Sequence, residues 1–236
     1  MKTIGLIGGM SWESTAVYYR RINEQVRRLR GGLHSAEIAL RSLDFERVVA
    51  LQKAGRWDEA GTLLGEAGAG LARAGAACVL ICTNTMHLVA EPVAALSGVP
   101  LIDIIDETAR ALRADGRSRP LLLATRYTME HGFYARRMAS HGIALVTPDA
   151  DDRQAVHDVI FDELCQGRVR DASRQRYLEI VGKARDRGVD SVILGCTEIS
   201  LLVDPRGLPL PGYDSTAIHA DAAVRFALGE TLDCAA

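Results

Sequence analysis

The 236-residue chain is predicted to be an α/β protein with parallel sheets covered by helices, and three observations carry that expectation. Apolar runs of strand length alternate with segments of helical spacing along the whole chain. The runs are nearly continuous in apolar residues, as in strands buried on both faces, and lack the in–out alternation of a half-exposed sheet. The second half of the chain also echoes the first.

In chain order, a strand is expected at 3–7, where Thr3-Ile4-Gly5-Leu6-Ile7 runs into Gly8-Gly9. A helix at 14–29 follows, with a capping signal in Ser11 and Ser14. A strand at 37–42 precedes a helix at 58–74, and the apolar run at 78–82 precedes a helix at 85–96. The short strand at 100–102 leads to a helix at 106–113. Beyond it, strands are expected at 121–124, 143–146, 191–194 and 208–211. Helices belong at 127–140, 152–165, 171–187 and 215–228, the last opened by the capping pair Asp214-Ser215.

The echo is specific in its details. Val79-Leu80-Ile81-Cys82-Thr83-Asn84-Thr85 closes one strand and opens a helix, as Val192-Ile193-Leu194-Gly195-Cys196-Thr197-Glu198 does later, so Thr83 aligns with Cys196. The strand ending at Gly8-Gly9 precedes a helix with Tyr18-Tyr19, and the strand ending at Ala124 precedes one with Tyr134. Gly9 to Thr83 spans 74 positions and Ala124 to Cys196 spans 72, so each half offers two loops at nearly equal separation. Chance similarity between two α/β halves accounts for this as readily as duplication. If the echo is real, two similar lobes face each other with their strand C-termini on one cleft, where open α/β sheets bind ligands.

Composition narrows the function classes. With 48% hydrophobic and 25% charged residues, the chain is an ordinary globular protein by composition. A net charge of -2, with scattered basic residues, gives no footprint for nucleic acid or an anionic membrane. The run Arg27, Arg28, Arg30 reads as a solvated helix face. The opening apolar stretch is too short for a secretory signal, and nothing approaches the roughly 18 apolar residues of a membrane span. Five cysteines (Cys78, Cys82, Cys165, Cys196 and Cys234) are odd in number and mostly far apart. They fit a reduced cytoplasmic interior better than a disulfide framework. Cys78 and Cys82 have no partner pair at zinc spacing, so no metal is expected.

Three loops carry residues suited to chemistry. Gly8-Gly9-Met10-Ser11 joins a strand to a helix, and its amides suit a small carboxylate, although a tight turn alone also needs glycines. No dinucleotide fingerprint is present. Thr83-Asn84-Thr85 places hydroxyl and amide groups at a strand end, where capping by Asn84 or Thr85 is the competing role. His87 follows in the first turn of the helix. Gly195-Cys196-Thr197-Glu198 sets a cysteine where a strand stops and a helix begins, a position expected to lower the thiol pKa and favour thiolate. Cys78 and Cys165 read as packing residues. Asp44, Arg47 and Gln52, and later Thr125, Arg126 and Thr128, are polar loop residues expected near the same cleft.

Together these motifs, in this order and over essentially the whole chain, resemble the aspartate/glutamate racemase family. The likeness implies two pseudo-symmetric α/β lobes, placed at 1–98 with 209–236 and at 99–208. It also implies a mechanism free of PLP, no metal or other cofactor, a small acidic amino acid as substrate, and a homodimer. In that family two cysteines face each other across the substrate α-carbon. This chain keeps the second as Cys196 and has Thr83 at the first, which is similar to the L-aspartate/glutamate-specific subgroup. Cys82 is adjacent, but one step along a strand reverses the side chain, so Cys82 is expected in packing and Thr83 at the substrate.

The resemblance thus gives Thr83 and Cys196 as the catalytic pair. Met10, Ser11, Arg47, Gln52, Asn84, Thr85, Thr125, Thr197 and Glu198 are the binding residues. Arg47 and Gln52 are candidates for the distal carboxylate. Two competitors stand beside this expectation: a single-cysteine decarboxylase on the same scaffold, and a non-catalytic binder of acidic amino acids.

Overall fold

The structure, a computed structural model, describes residues 1–229. Cys234 and the rest of 230–236, counted with the first lobe above, lie outside the described residues. The chain divides into two compact units, Met1–Ile104 together with the stretch from His219 onward, and Ile105–Ile218. These bounds differ from the expected breaks near 98 and 208. The stretch before residue 219 supplies a strand, Gly212–Asp214, to the sheet of the second unit, which holds it there.

The first unit contains β1 (Ile4–Gly8), α1 (Trp12–Arg30), β2 (Ile38–Ser42), α2 (Phe45–Lys53), α3 (Trp57–Arg73), β3 (Cys78–Ile81) and α4 (Ala90–Ser97). A 3-10 turn, Thr85–Val89, precedes α4. Its sheet is parallel with order β2-β1-β3, and Leu101 adds a single parallel bridge to Val79 beyond β3. Side-chain parity divides the core between the two sheet faces. Ile4, Leu6, Cys78, Leu80 and Cys82 cluster with Tyr18, Ile22 and Val26 of α1 and with the alanine-rich end of the last helix. Ile7, Val79 and Ile81 take the other face, with Val48, Leu64, Leu71 and Val93. Covering both faces is what makes these strands apolar throughout.

The chain enters the second unit within α5 (Ile104–Ala114) and continues through β4 (Pro120–Leu123), α6 (Arg126–Glu130), α7 (Phe133–Ser140), α8 (Ala150–Asp158) and α9 (Asp171–Arg185). Next come β5 (Ser191–Leu194), α10 (Ile199–Leu202), β6 (Gly212–Asp214) and α11 (Ser215–Leu228), which returns to the first unit. This sheet is also parallel, with order β4-β5-β6, and Val146 adds one parallel bridge to Leu121 outside β4. All four residues of β4 and of β5 are buried.

Numbered within its own unit and with the bridge included, each sheet has the spatial order 2-1-3-4. Thr83 and Cys196 both follow the third strand, and Gly9 and Thr125 both follow the first. The echo in the sequence is therefore an echo in topology.

Several elements differ from expectation. The runs at 100–102 and 143–146 yield only those isolated bridges, and the expected strand at 208–211 lies instead at Gly212–Asp214. The 127–140 helix breaks at Gly132, whose φ is +74°, and the 152–165 helix passes into a π turn at Val159–Glu163. Among the described residues no helix is long and apolar enough to cross a membrane.

Candidate active site

The loop after β1 is shaped by two glycines and a threonine. Gly9 has φ +85°, and a Cβ there would lie 2.1 Å from the Leu43 carbonyl oxygen, so no side chain fits. A Cβ at Gly8 would meet Thr15 at 2.4 Å. Thr15 occupies that space to work: its hydroxyl accepts from the Gly9 N–H at 2.8 Å and donates to the Ser11 carbonyl at 2.9 Å. Ser11 caps α1 by accepting from the Ser14 N–H at 3.2 Å, and the Met10–Ser11 peptide is cis. Met10 is buried and Ser11 half-buried. Thr15, which sequence reasoning passed over, ties this turn together; a threonine one helical turn after the cap was the only signal for it.

The loop after β3 separates Cys82 from Thr83. Cys82 is fully buried in the apolar core, and burial pushes its thiol pKa far up, as it pushes Cys78 to about 12. Thr83 is partly exposed. Its N–H donates to the Ile81 carbonyl at 2.8 Å, and its carbonyl faces Nδ1 of His87 at 2.8 Å. Asn84 stands at the N-cap of the 3-10 turn, yet its side chain makes no capping bond, contrary to expectation; Thr85 is half-buried beside it. Gln52, at the end of α2, donates from Nε2 to the Met86 sulfur at 2.9 Å and so belongs with this loop. Arg47 is exposed and lines a surface groove with Leu63 and Glu66 of α3. Asp44 caps α2, accepting from the Glu46 N–H at 3.2 Å, which gives it a structural role.

In the second unit Thr125 stands at the N-cap of α6, its hydroxyl 3.1 Å from that of Thr128, while Arg126 is exposed. Cys196 and Thr197, at the end of the central strand β5, are partly exposed. Both donate to one oxygen of the buried Glu198 carboxylate, Cys196 Sγ at 2.9 Å and Thr197 Oγ1 at 2.9 Å. The expected lowering of the Cys196 pKa is reversed. Burial, then the charge and hydrogen bond of Glu198, hold the thiol well above its usual range. The helix that follows, α10, has only four residues and too little dipole to offset them. A carboxylate poised on a thiol can receive its proton, so the pair is a potential source of thiolate.

Comparison with known proteins gives this geometry its context. The family model described as Asp/Glu/hydantoin racemase matches residues 7–223. The chain belongs to that racemase family. A Yersinia pestis protein, whose crystal structure is described as that of a candidate Asp/Glu racemase, is 49% identical with a TM-score of 0.92 over 97% of this chain and 100% of that one. An aspartate racemase homologue from Pyrococcus horikoshii is 30% identical with a TM-score of 0.85, again over 97% and 100%. A glutamate racemase from Syntrophus aciditrophicus is 30% identical over 159 residues, 61% of this chain and 54% of that protein. Family membership supports a racemase, an isomerase, on a fold of two α/β units whose sheets are each parallel.

Proposed function

We propose that this racemase-family chain acts without PLP on L-aspartate and L-glutamate, moving a proton at the α-carbon between Cys196 and Thr83. The observation that carries this is the Cys196 thiol at the end of the central strand, hydrogen-bonded to Glu198 at 2.9 Å; Cys78 and Cys82 are buried in the core, and Cys165, expected in packing, is exposed. Inverting a stereocentre by deprotonation takes a base on one face and an acid on the other. In this mechanism the thiol proton passes to Glu198 as the substrate ammonium enters, and the thiolate removes the α-proton of the L-enantiomer. The electron pair left on carbon spreads into the α-carboxylate. Thr83 then protonates the opposite face, its alkoxide regains a proton from water, and Glu198 gives the proton it took to the hydroxide so formed, which restores the starting state.

Met10, Ser11, Asn84, Thr85, Thr125 and Thr197 are assigned to the α-carboxylate and ammonium, where preorganised donors stabilise the developing charge. Gln52, through its contact with Met86, and Arg47, through its charge, are assigned to the distal carboxylate. A hydroxyl is far less acidic than a thiol, so D-substrates react slowly; the equilibrium constant is unchanged and the asymmetry lies in rate or binding. The same proposal takes the protein as a cytoplasmic homodimer, a state that light scattering reads directly.

Proton NMR of both enantiomers of aspartate and glutamate in heavy water tests the chemistry, with Cys196→Ala alongside. We expect loss of the α-proton signal from an L-substrate, slowed at least ~10³-fold in the variant. No exchange from any of the four would overturn the racemase. Decarboxylation of an arylmalonate would then select the decarboxylase, and tight amino-acid binding the non-catalytic protein.

A further inference from the structure

We propose that His87 is a positioning residue that sets the Thr83 loop for proton transfer, and that Tyr18 and His219 hold the segment on which His87 braces. This rests on the assignment of Thr83 as the acid made above. His87 is buried, 5% exposed, in the turn after β3. Its Nε2 lies 3.2 Å from the Ile104 N–H, which can only donate, so Nε2 carries the lone pair. The ring proton therefore sits on Nδ1 and is given to the Thr83 carbonyl at 2.8 Å. One neutral tautomer spans the gap between the end of β3 and the start of α5.

The far end of this strut is fixed in turn. The carbonyl of Ile102 accepts from His219 Nε2 at 2.8 Å, and its N–H donates to Val79 of β3 at 3.0 Å. His219 Nδ1 is thereby the acceptor for the Tyr18 hydroxyl at 2.8 Å. The two imidazoles meet edge to face with centroids 5.7 Å apart. Tyr18 and His219 are fully buried, which costs free energy unless such groups are paired, and each is. Burial and the nearby His87 lower the His219 pKa to about 3, so this brace does not charge near neutrality.

The consequence falls on Thr83. Its N–H is spent on Ile81 and its carbonyl on His87, and among the described residues its hydroxyl makes no hydrogen bond. The main chain is pinned and the hydroxyl is left free to turn. Proton transfer depends on near-attack distance, and a displacement of about 1 Å costs on the order of 10²-fold.

The experiment compares two rates from an L-substrate in heavy water. Deuteration from the Cys196 side gives exchange with retention, and deuteration from the Thr83 side gives inversion. In His87→Ala we expect the ratio of inversion to exchange to fall at least tenfold, with exchange itself changed less than about threefold. His87→Asn keeps an N–H donor near the position of Nδ1 and is expected to recover most of the ratio. The ratio is read on whatever folded protein is present, so partial loss of stability does not mimic the effect. An unchanged ratio, or inversion and exchange falling together, would overturn the inference while the racemase assignment stood. Wild-type protein that exchanged no α-proton would overturn both.

Discussion

At Cys196 the surroundings favour the protonated thiol, while the proposed removal of the α-proton calls for thiolate. Burial and Glu198 raise the thiol pKa, so the thiolate fraction at neutral pH is small and grows as pH rises. We therefore expect kcat/KM for the L-substrate to climb from pH 7 toward alkaline values; a profile flat from pH 6 to 9 would contradict it. Glu198→Gln separates the two roles of the carboxylate. Removing its charge lowers the thiol pKa, so alkylation of the Cys196 peptide at pH 7.5, followed by mass spectrometry, should speed up. Removing the proton acceptor should slow turnover roughly 10²-fold or more. Alkylation and turnover moving in the same direction would argue against that pairing. Much at this scale was legible in the sequence: strand parity separated Cys82 from Thr83, and a cysteine followed by polar residues marked Cys196. The thiol–carboxylate pairing was not, because a side-chain rotamer decides whether Glu198 raises the thiol or leaves it to the helix.

Among the elements, the turn after β1 depends on a glycine that nothing can replace. Gly9→Ala would force a methyl against the Leu43 carbonyl at a φ that L-residues rarely adopt. A loss of roughly 2–4 kcal/mol in chemical denaturation is expected, with activity falling further than stability because Ser11 moves with the turn. Stability within ~0.5 kcal/mol of wild type would show that the turn adapts. The apolar strands and the long helices could be read directly, since both sheet faces are covered. The helix α2 could not, because it is only nine residues long and buries only Val48 among them, so its apolar positions Phe45, Val48 and Val49 make too short a stripe to mark a helix. Likewise the runs at 100–102 and 143–146 have strand composition but form one bridge each at a sheet margin. The contact of Gln52 with Met86 follows from that unread helix, and no spacing in the chain announces it.

For the molecule as a whole, the two units differ in how strongly acid acts on them: burial lowers the pKa of His157 in the second unit too, but by less than that of His219 in the first. His219 in the first unit stays neutral down to about pH 3, whereas an unfolded histidine takes a proton near pH 6.5. Between those values the unfolded state binds more protons, so stability is lost as pH falls. In the second unit, burial works against the Asp106 charge, but hydrogen bonds from Arg137 and His141 outweigh it and lower its pKa. That stabilisation is present above the ordinary carboxylate range and disappears only as pH falls through the lowered value. Hydrogen exchange at pH 5 against pH 7 should thus show β1, β3 and α11 losing protection before β4 and β5, with His219→Gln reducing the difference. Simultaneous loss in both units would contradict this.

The route of the chain sets an order on assembly. Residues 105–218 form a continuous stretch, while the first unit needs α11, which packs against Tyr18 and Leu80 and whose Ala227 carbonyl receives the Lys2 N–H at 2.9 Å. As the polypeptide emerges from the ribosome, the unit begun first is therefore completed last. Until α11 arrives, β1 and β3 leave apolar surface uncovered and Tyr18 waits for His219.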